Sequence, residues 1–311
     1  MKRAWIFPGQ GAQKVGMGRE LFEHSKMARQ VFERADAALG FSLSKLCFEG
    51  PDSELGLTQN TQPAIVATSI AALEAYREAD PTAPIADYVA GHSLGEYSAL
   101  VAAGALSLED AVRLVRLRGK AMQEAVPAGE GKMAAIMGGD VAAVEALCKD
   151  AAQGQTLSAA NYNAPGQIVI AGATAAIERA AVLAKERSLK AIVLKVSAPF
   201  HCAMMAPAKR RLEQALAEVS IADPKICVVA NVSAEENTQG DQVADLLVRQ
   251  VDSAVLWEQS VRHMVAAGID DALEFGPGKV LAGLAKRIDK SLCVQSLGMP
   301  QDISRVVDPT P

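Results

Sequence analysis

The chain has 311 residues, half of them hydrophobic, and a formal net charge of -5. That is enough chain for a substantial core in one or two domains, and the acid balance speaks against a nucleic-acid partner, which needs a basic face. No apolar run is long enough to cross a bilayer, so no membrane association is expected, and the opening MKRAWIF is cut at once by PGQG, so it carries no secretory core.

Strand-like and helix-like runs alternate, the pattern of an α/β fold with a mostly parallel sheet. AWIF (4–7) is the first strand, ahead of PGQG. Residues 19–38 and 63–79 read as helices, YVAG (88–91) as a strand and 94–104 as a helix. Ser107 is placed to N-cap a helix over 108–125, with Glu109 and Asp110 favourable in its first turn. After PAGEG (127–131) come KMAAIMG, a helix over 140–151, TLSAANYN, QIVIAG, a helix over 174–186, and AIVLKVS. This β-α-β-β-α-β order over 132–197 is that of a ferredoxin-like unit. ICVVANV (226–232) is a strand, 241–250 and 257–267 are helices, and ALEF (272–275) is a strand. A GPG turn and a last helix to residue 288 follow, and the tail from 299 reads as loosely ordered. The expected organisation is a core of residues 1–127 and 198–311, with a ferredoxin-like βαββαβ subdomain inserted at 128–197.

The cysteines (Cys47, Cys148, Cys202, Cys227, Cys293) are scattered, odd in number and without a CxxC pair, which favours free thiols in a reducing cytoplasm. The histidines (His24, His92, His201, His263) form no metal-ligand spacing, so no metal is expected.

The chemistry concentrates at GHSLG (91–95). A Gly-x-Ser-x-Gly sequence between a strand and a helix bends the chain sharply and lifts the serine hydroxyl outward. The amides that follow sit at a helix N-terminus, where negative charge is stabilised. Ser93 is therefore a candidate nucleophile, and the Leu94 N–H half of an oxyanion hole. The plainer alternative is a serine that merely caps the helix. A nucleophilic serine needs a base. His24 lies on a charged helix and His263 on an amphipathic one. The His92 side chain should point away from its neighbour's, leaving a supporting role. His201, in the loop SAPFHCAMMAP after a strand, occupies the place where α/β sites form. No acid stands out as its orienter: Asp270, Asp271 and Glu274 are available, and a main-chain carbonyl could serve instead.

An arginine stands out in SLEDAVRLVRLRGKAMQEAV. Arg118 falls on the apolar stripe between Val115 and Met122, whereas Arg113 and Arg116 fall elsewhere and should be solvated. A buried guanidinium needs an anionic partner. That partner is either a carboxylate of the protein or one on the substrate, gripped by two parallel hydrogen bonds. GQGAQKVG after the first strand lacks the third glycine of a dinucleotide loop, so a nicotinamide cofactor is not expected.

FPGQGAQ (7–13), QNTQPA (59–64), GHSLGEYSALVAAG (91–104), RLRGKAMQEA (116–125), NYNAPGQ (161–167), PFHCAMM (199–205) and EFGPGKVL (274–281) occur in that order. Together they resemble the bacterial malonyl-CoA:acyl-carrier-protein transacylases, over nearly the whole chain. The resemblance implies a hydrolase-like α/β core with a ferredoxin-like insert, and malonyl transfer from malonyl-CoA to acyl carrier protein for fatty acid synthesis. It implies Ser93 as acylated nucleophile, His201 as base and Arg118 as clamp on the malonyl carboxylate. It further implies Gln10 as the second oxyanion donor beside Leu94, and Gln250 as the residue whose main-chain carbonyl orients the histidine. Gln62, His92 and Asn161 match residues near the pocket. Phe200 precedes the base, as in malonyl-selective domains of polyketide synthases, and its ring should crowd an α-methyl branch. Cys202 reads as a small buried thiol. Coenzyme A thioester is substrate, no cofactor is implied, and the chain is expected to be a monomer. An acidic carrier protein calls for a local basic patch, with Lys190, Lys195, Lys209, Arg210, Lys279, Lys286 and Arg287 as candidates.

Overall fold

The computed structural model describes residues 2–196 and 198–308. The strands are β1 (Lys2–Phe7), β2 (Tyr88–Gly91), β3 (Gly131–Met137), β4 (Leu157–Ala164), β5 (Gln167–Ala173), β6 (Lys190–Val193), β7 (Cys227–Val229), β8 (Glu236–Asn237), β9 (Ile269–Phe275) and β10 (Cys293–Leu297). They form two sheets. The larger has the order β10-β9-β1-β2-β7-β8 and is parallel except for β8, which pairs antiparallel with β7.

Burial explains its centre. Side chains alternate across a strand. In β1, Trp5 and Phe7 face one layer with Val89, Leu273 and Phe275, packed under the helices Thr58–Ala79 and Leu108–Glu124. Ala4 and Ile6 face the other, with Ala90, Ala272, Trp257, Val261 and Leu281. Both faces are covered, so the strand is apolar throughout, as expected inside a parallel sheet.

The smaller sheet has the order β4-β5-β3-β6 and is antiparallel throughout. The helices Val141–Ala152 and Thr174–Glu186 pack on it through Val144, Leu147, Ile177 and Ala180 against Ala134, Ile136, Ile168 and Ile170. This is the ferredoxin-like order that the sequence pattern predicts. The sheet is joined to the core along β4: Tyr162 N–H donates to the Val255 carbonyl, and Val255 N–H donates to that of Ala160, both at 2.9 Å.

Several boundaries differ from the sequence expectation. Residues 19–38 form two helices, Arg19–His24 and Lys26–Leu39, because Ser25 is extended and caps the second through the Ala28 amide. The next long helix begins at Thr58 and carries Pro63 within it. AIVLKVS narrows to β6, and Ser197 at its end lies outside the described residues. ICVVANV narrows to β7. The tail is not loose: Pro300–Val307 is a helix that opens on its proline and buries Ile303, while 309–311 lie outside the described residues. The helices Leu43–Glu49 and Ala206–Leu216 and the strand β10 were not anticipated. Ser107 caps its helix as expected, accepting from the Asp110 amide at 3.0 Å.

The ends of β1 and β2 meet in register, Phe7 beside Gly91. Gly95 begins the following helix against the end of β1, and a Cβ there would lie 2.3 Å from the Phe7 carbonyl oxygen. Backbone cannot yield as a side-chain tip does. Gly95→Ala should cost roughly 3 kcal/mol, read as a lower urea midpoint at unchanged slope.

Candidate active site

β2 ends at Gly91 and the next helix, Gly95–Ala102, starts within four residues. Ser93 makes the bend at φ 54, in the left-handed region that L-residues avoid. The strain, about 1–3 kcal/mol, is held from the end of β7. Asn231 Oδ1 accepts from Ser93 N–H at 2.7 Å, and Asn231 Nδ2 donates to the Gly91 carbonyl at 2.7 Å.

His201 reaches the same point from the loop after β6, and it too has a positive φ, 59. Its Nδ1–H donates to the Gln250 main-chain carbonyl at 2.9 Å. That bond leaves the lone pair on Nε2, which accepts from Ser93 Oγ–H at 2.8 Å. Burial, and then the positive charge of Arg118, pull the His201 pKa down to about 3. The imidazole is therefore neutral at physiological pH and free to take a proton. The carboxylates considered as orienters are elsewhere: Asp271 pairs with Arg3 at 2.5 Å, Glu274 accepts from the Leu281 and Ala282 amides, and Asp270 is exposed.

Arg118 is 2 % exposed. Its Nη1 donates to Gln62 Oε1 at 2.8 Å, and its Nη2 donates to Gln250 Oε1 at 2.8 Å and to Ser93 Oγ at 3.0 Å. Its Nε–H has no partner among the described residues, and the Tyr97 ring lies 5.9 Å away. Burial lowers its pKa, yet a guanidinium keeps its charge. Its partners here are amides and a hydroxyl, all neutral. By contrast Arg116, expected in solvent, is half-buried: it donates to Asn60 at 2.9 Å and its guanidinium lies 4.3 Å from the Phe41 ring centre. Arg113 is on the surface, as expected.

These groups open into a cavity of about 460 Å³. Ser93, His201, Arg118, Gln10, Gln62, His92, Asn161 and Phe200 all line it, with Met122, Met133, Val169, Leu194 and Val196 as an apolar wall. Gln250 lies behind it, fully buried. The Leu94 amide opens the elbow helix, and the amides after it, of Gly95, Glu96 and Tyr97, donate to the carbonyls of His92, Ser93 and Leu94. His92 Nε2 is bonded to Asn163 Oδ1 at 2.8 Å and its ring packs on Trp257, so it turns away from the serine and braces β4. Asn161 Oδ1 is buried without a partner among the described residues. Cys202 is buried, with its thiol raised to about 11 by desolvation. Of the candidate cations, Lys195 lines the cavity, Lys209 pairs with Asp252 at 3.1 Å, and Arg287 donates to Gln167 and the Pro165 carbonyl. Lys190, Arg210, Lys279 and Lys286 are exposed, and Lys279 and Lys286 share a shallow groove with Lys290.

Three supporting residues were missed in the sequence: Asn163, Asn231 and Glu96. The signal for Glu96 was present, an acid one position after the elbow in an otherwise apolar helix.

Residues 4–292 match the family described as acyl transferase domain. A protein of Bacillus subtilis named malonyl CoA-acyl carrier protein transacylase is 47% identical over 308 residues, covering 98% of this chain and 96% of that one. The protein of that name from Escherichia coli K12 is 45% identical over 306 residues, 98% of each. The crystal structure of an acyl-carrier-protein S-malonyltransferase from Burkholderia pseudomallei superposes with a TM-score of 0.95 at 44% identity, over 99% of both chains. A malonyl-transacylase solved in complex with its type II PKS acyl-carrier protein gives a TM-score of 0.96 at 40% identity, over 100% of both.

With a base pKa about 3, acylation of Ser93 by an uncharged serine reagent should hold its rate as pH falls from 7 to 5. An unperturbed imidazole would slow it roughly 25-fold over that range. Stability moves the other way. The unfolded histidine takes up a proton below pH ~6.5 while the folded one does not, so acid draws the chain toward unfolding. Stopped-flow labelling and denaturant melts across this range check the two effects.

Proposed function

The chain belongs to the acyl transferase family, and on that premise we propose that it carries malonyl from malonyl-CoA to the phosphopantetheine thiol of acyl carrier protein through a malonyl-serine intermediate on Ser93. The observation that carries this reading is Arg118, a buried cation whose direct partners among the described residues are all neutral, 3.0 Å from Ser93 Oγ. A site built for acetyl or longer alkyl groups has no use for it. A malonyl group brings the missing carboxylate.

His201 Nε2 takes the Ser93 proton as Oγ attacks the thioester carbonyl. The N–H groups of Leu94 and Gln10 receive the oxyanion. As the tetrahedral centre collapses, the C–S bond breaks, and His201 returns the proton to coenzyme A as it leaves. The carrier thiol then gives His201 its proton, attacks the serine ester and takes the malonyl group, and Ser93 recovers a proton from His201. Each half is the reverse of the other in kind, which is ping-pong kinetics. Throughout, Arg118 holds the malonyl carboxylate, Gln62 and Gln250 hold Arg118, and the Gln250 carbonyl holds the histidine. His92 and Asn161 shape the wall facing the substrate, and Asn161 Oδ1 offers an acceptor to a donor on the incoming arm. Phe200 narrows the space beside the malonyl α-carbon. The reaction as written uses only groups of this chain, its thioester donor and its thiol acceptor.

We read residues 1–127 and 198–311 as the catalytic core and 128–197 as the subdomain that closes the pocket. No helix among the described residues is long and apolar enough to cross a membrane. We place the activity in the cytoplasm, supplying fatty acid synthesis, with Lys195 at the cavity receiving the acidic carrier. The relative solved with a type II PKS carrier supports a second reading of the acceptor, a polyketide carrier served by the same chemistry.

Intact-mass measurement after malonyl-CoA should reveal a malonyl adduct on the wild type and none on Ser93→Ala, discharged by added carrier protein. Discharge by water alone would make the protein a hydrolase. Arg118→Ala should slow malonyl loading by about 100-fold or more, as loss of a buried charged contact requires, and acetyl loading far less. Phe200→Ser should raise methylmalonyl loading relative to malonyl by roughly tenfold, the worth of one methyl-sized space.

A further inference from the structure

A carboxylate lies behind the arginine, and no step above uses it. Glu96, the second residue of the elbow helix, is 2 % exposed. Its Oε2 accepts from Gln250 Nε2–H at 2.7 Å and from Asn231 N–H at 3.1 Å. The other end of the same amide, Gln250 Oε1, accepts from Arg118 Nη2 at 2.8 Å. Carboxylate, amide and guanidinium form one chain in which every dipole points the same way. Gln250 also donates from Nε2 to the Ser93 carbonyl at 3.0 Å, and its main-chain oxygen holds His201. An acid that fixes the Gln250 amide therefore bears on the arginine, the elbow and the base together.

We infer that Glu96 is the resident counter-charge of Arg118: acting through Gln250, it positions the guanidinium for the malonyl carboxylate, and it takes up a proton when that carboxylate arrives. This rests on Arg118 as the malonyl clamp. The electrostatics are simple. In the free enzyme one buried acid faces one buried cation across an amide. In the malonyl-enzyme two acids share that cation in a site without bulk water, and like charges so placed raise the pKa of the weaker-held one. The substrate carboxylate touches Arg118 directly, so Glu96 is the one that yields.

The surroundings favour the exchange. Burial already pushes Glu96 up to about 7, against the pull of Gln250, Asn231 and Arg118. Arg118, from the helix Leu108–Glu124, is the charged group that faces it. Its own helix adds Tyr97, whose hydroxyl burial keeps neutral. His201 and His92 are both neutral, their pKa values lowered by burial. The helix ending at Gln250 and the loop after β7 contribute Gln250 and Asn231, which do not titrate. β1, β2 and the helix Thr58–Ala79, also packed on the elbow helix, add no charge that acts on it.

The test compares loading from malonyl-CoA and from acetyl-CoA between pH 6 and pH 8, in weak buffer with an indicator dye. Acetyl lacks the second carboxylate and corrects for the thiol of released coenzyme A. Malonyl loading of the wild type should take up a fraction of a proton more than acetyl loading, and the malonyl-to-acetyl ratio of loading constants should fall roughly fivefold or more from pH 6 to pH 8. Glu96→Gln should abolish both effects, and Glu96→Asp should restore the pH step at a shifted midpoint. Equal proton counts for the two substrates, or a pH step that survives Glu96→Gln, overturns the inference. If Glu96→Gln fails to fold, the wild-type proton count decides alone. An Arg118→Ala variant that loads malonyl as well as acetyl would instead remove the clamp itself, a failure distinct from that of Glu96.

Discussion

Keeping a guanidinium dry beside a serine hydroxyl is the constraint around which this site is arranged. A buried charge left alone is costly, and a carboxylate in contact would satisfy it so fully that no substrate could compete. The structure takes a middle course. Gln62, Gln250 and Ser93 supply neutral acceptors at hydrogen-bond distance, and the acid stands one amide further back. The same positive charge helps to keep His201 neutral. On the proposed reading, one cation bears both on which acyl group is held and on the protonation state of His201.

The second demand is positional. Serine and histidine come from segments 108 residues apart, and both sit at positive φ. Neither conformation would persist in an isolated loop. Asn231 ties the serine amide to the end of β2, and Gln250 fixes the imidazole through a carbonyl rather than through an acid. A carbonyl orients the ring as a carboxylate would but stabilises the imidazolium less. That suits a base that must give its proton up twice in each cycle.

Much of this was legible in the residues. Alternating apolar and helix-period runs located the parallel core and the β-α-β-β-α-β insert: the long helices repeat their burial pattern, while β2, β6 and β7 are three or four residues long and show only as short apolar runs. The elbow was legible because glycine on both sides of a serine has a steric cause: a Cβ at Gly91 would lie 1.9 Å from the Gly95 carbonyl oxygen. Arg118 was visible as a charge out of phase with its helix. Arg116 was misjudged because the same periodicity could not foresee Phe41 arriving from the loop between two helices and Asn60 from another helix. The tail helix was missed because it is short and leans on one buried side chain, Ile303. The roles of Gln10 and Gln250 came from family resemblance, since a backbone amide or carbonyl leaves no mark in a side-chain pattern.

The seam between the sheets has a consequence for how such a pocket can diversify. β4 is bonded to the core through main-chain atoms on either side of Asn161, at Val255. Ser93 and Arg118 belong to the large-sheet layer and His201 to the loop after β6, whereas Met133, Asn161 and Val169 belong to the small sheet itself. The far wall of the cavity is attached by main-chain bonds at Val255 and by the side-chain bond of His92 to Asn163. Residues on that wall bear on the volume offered to the acyl chain without touching the bond between Ser93 and His201.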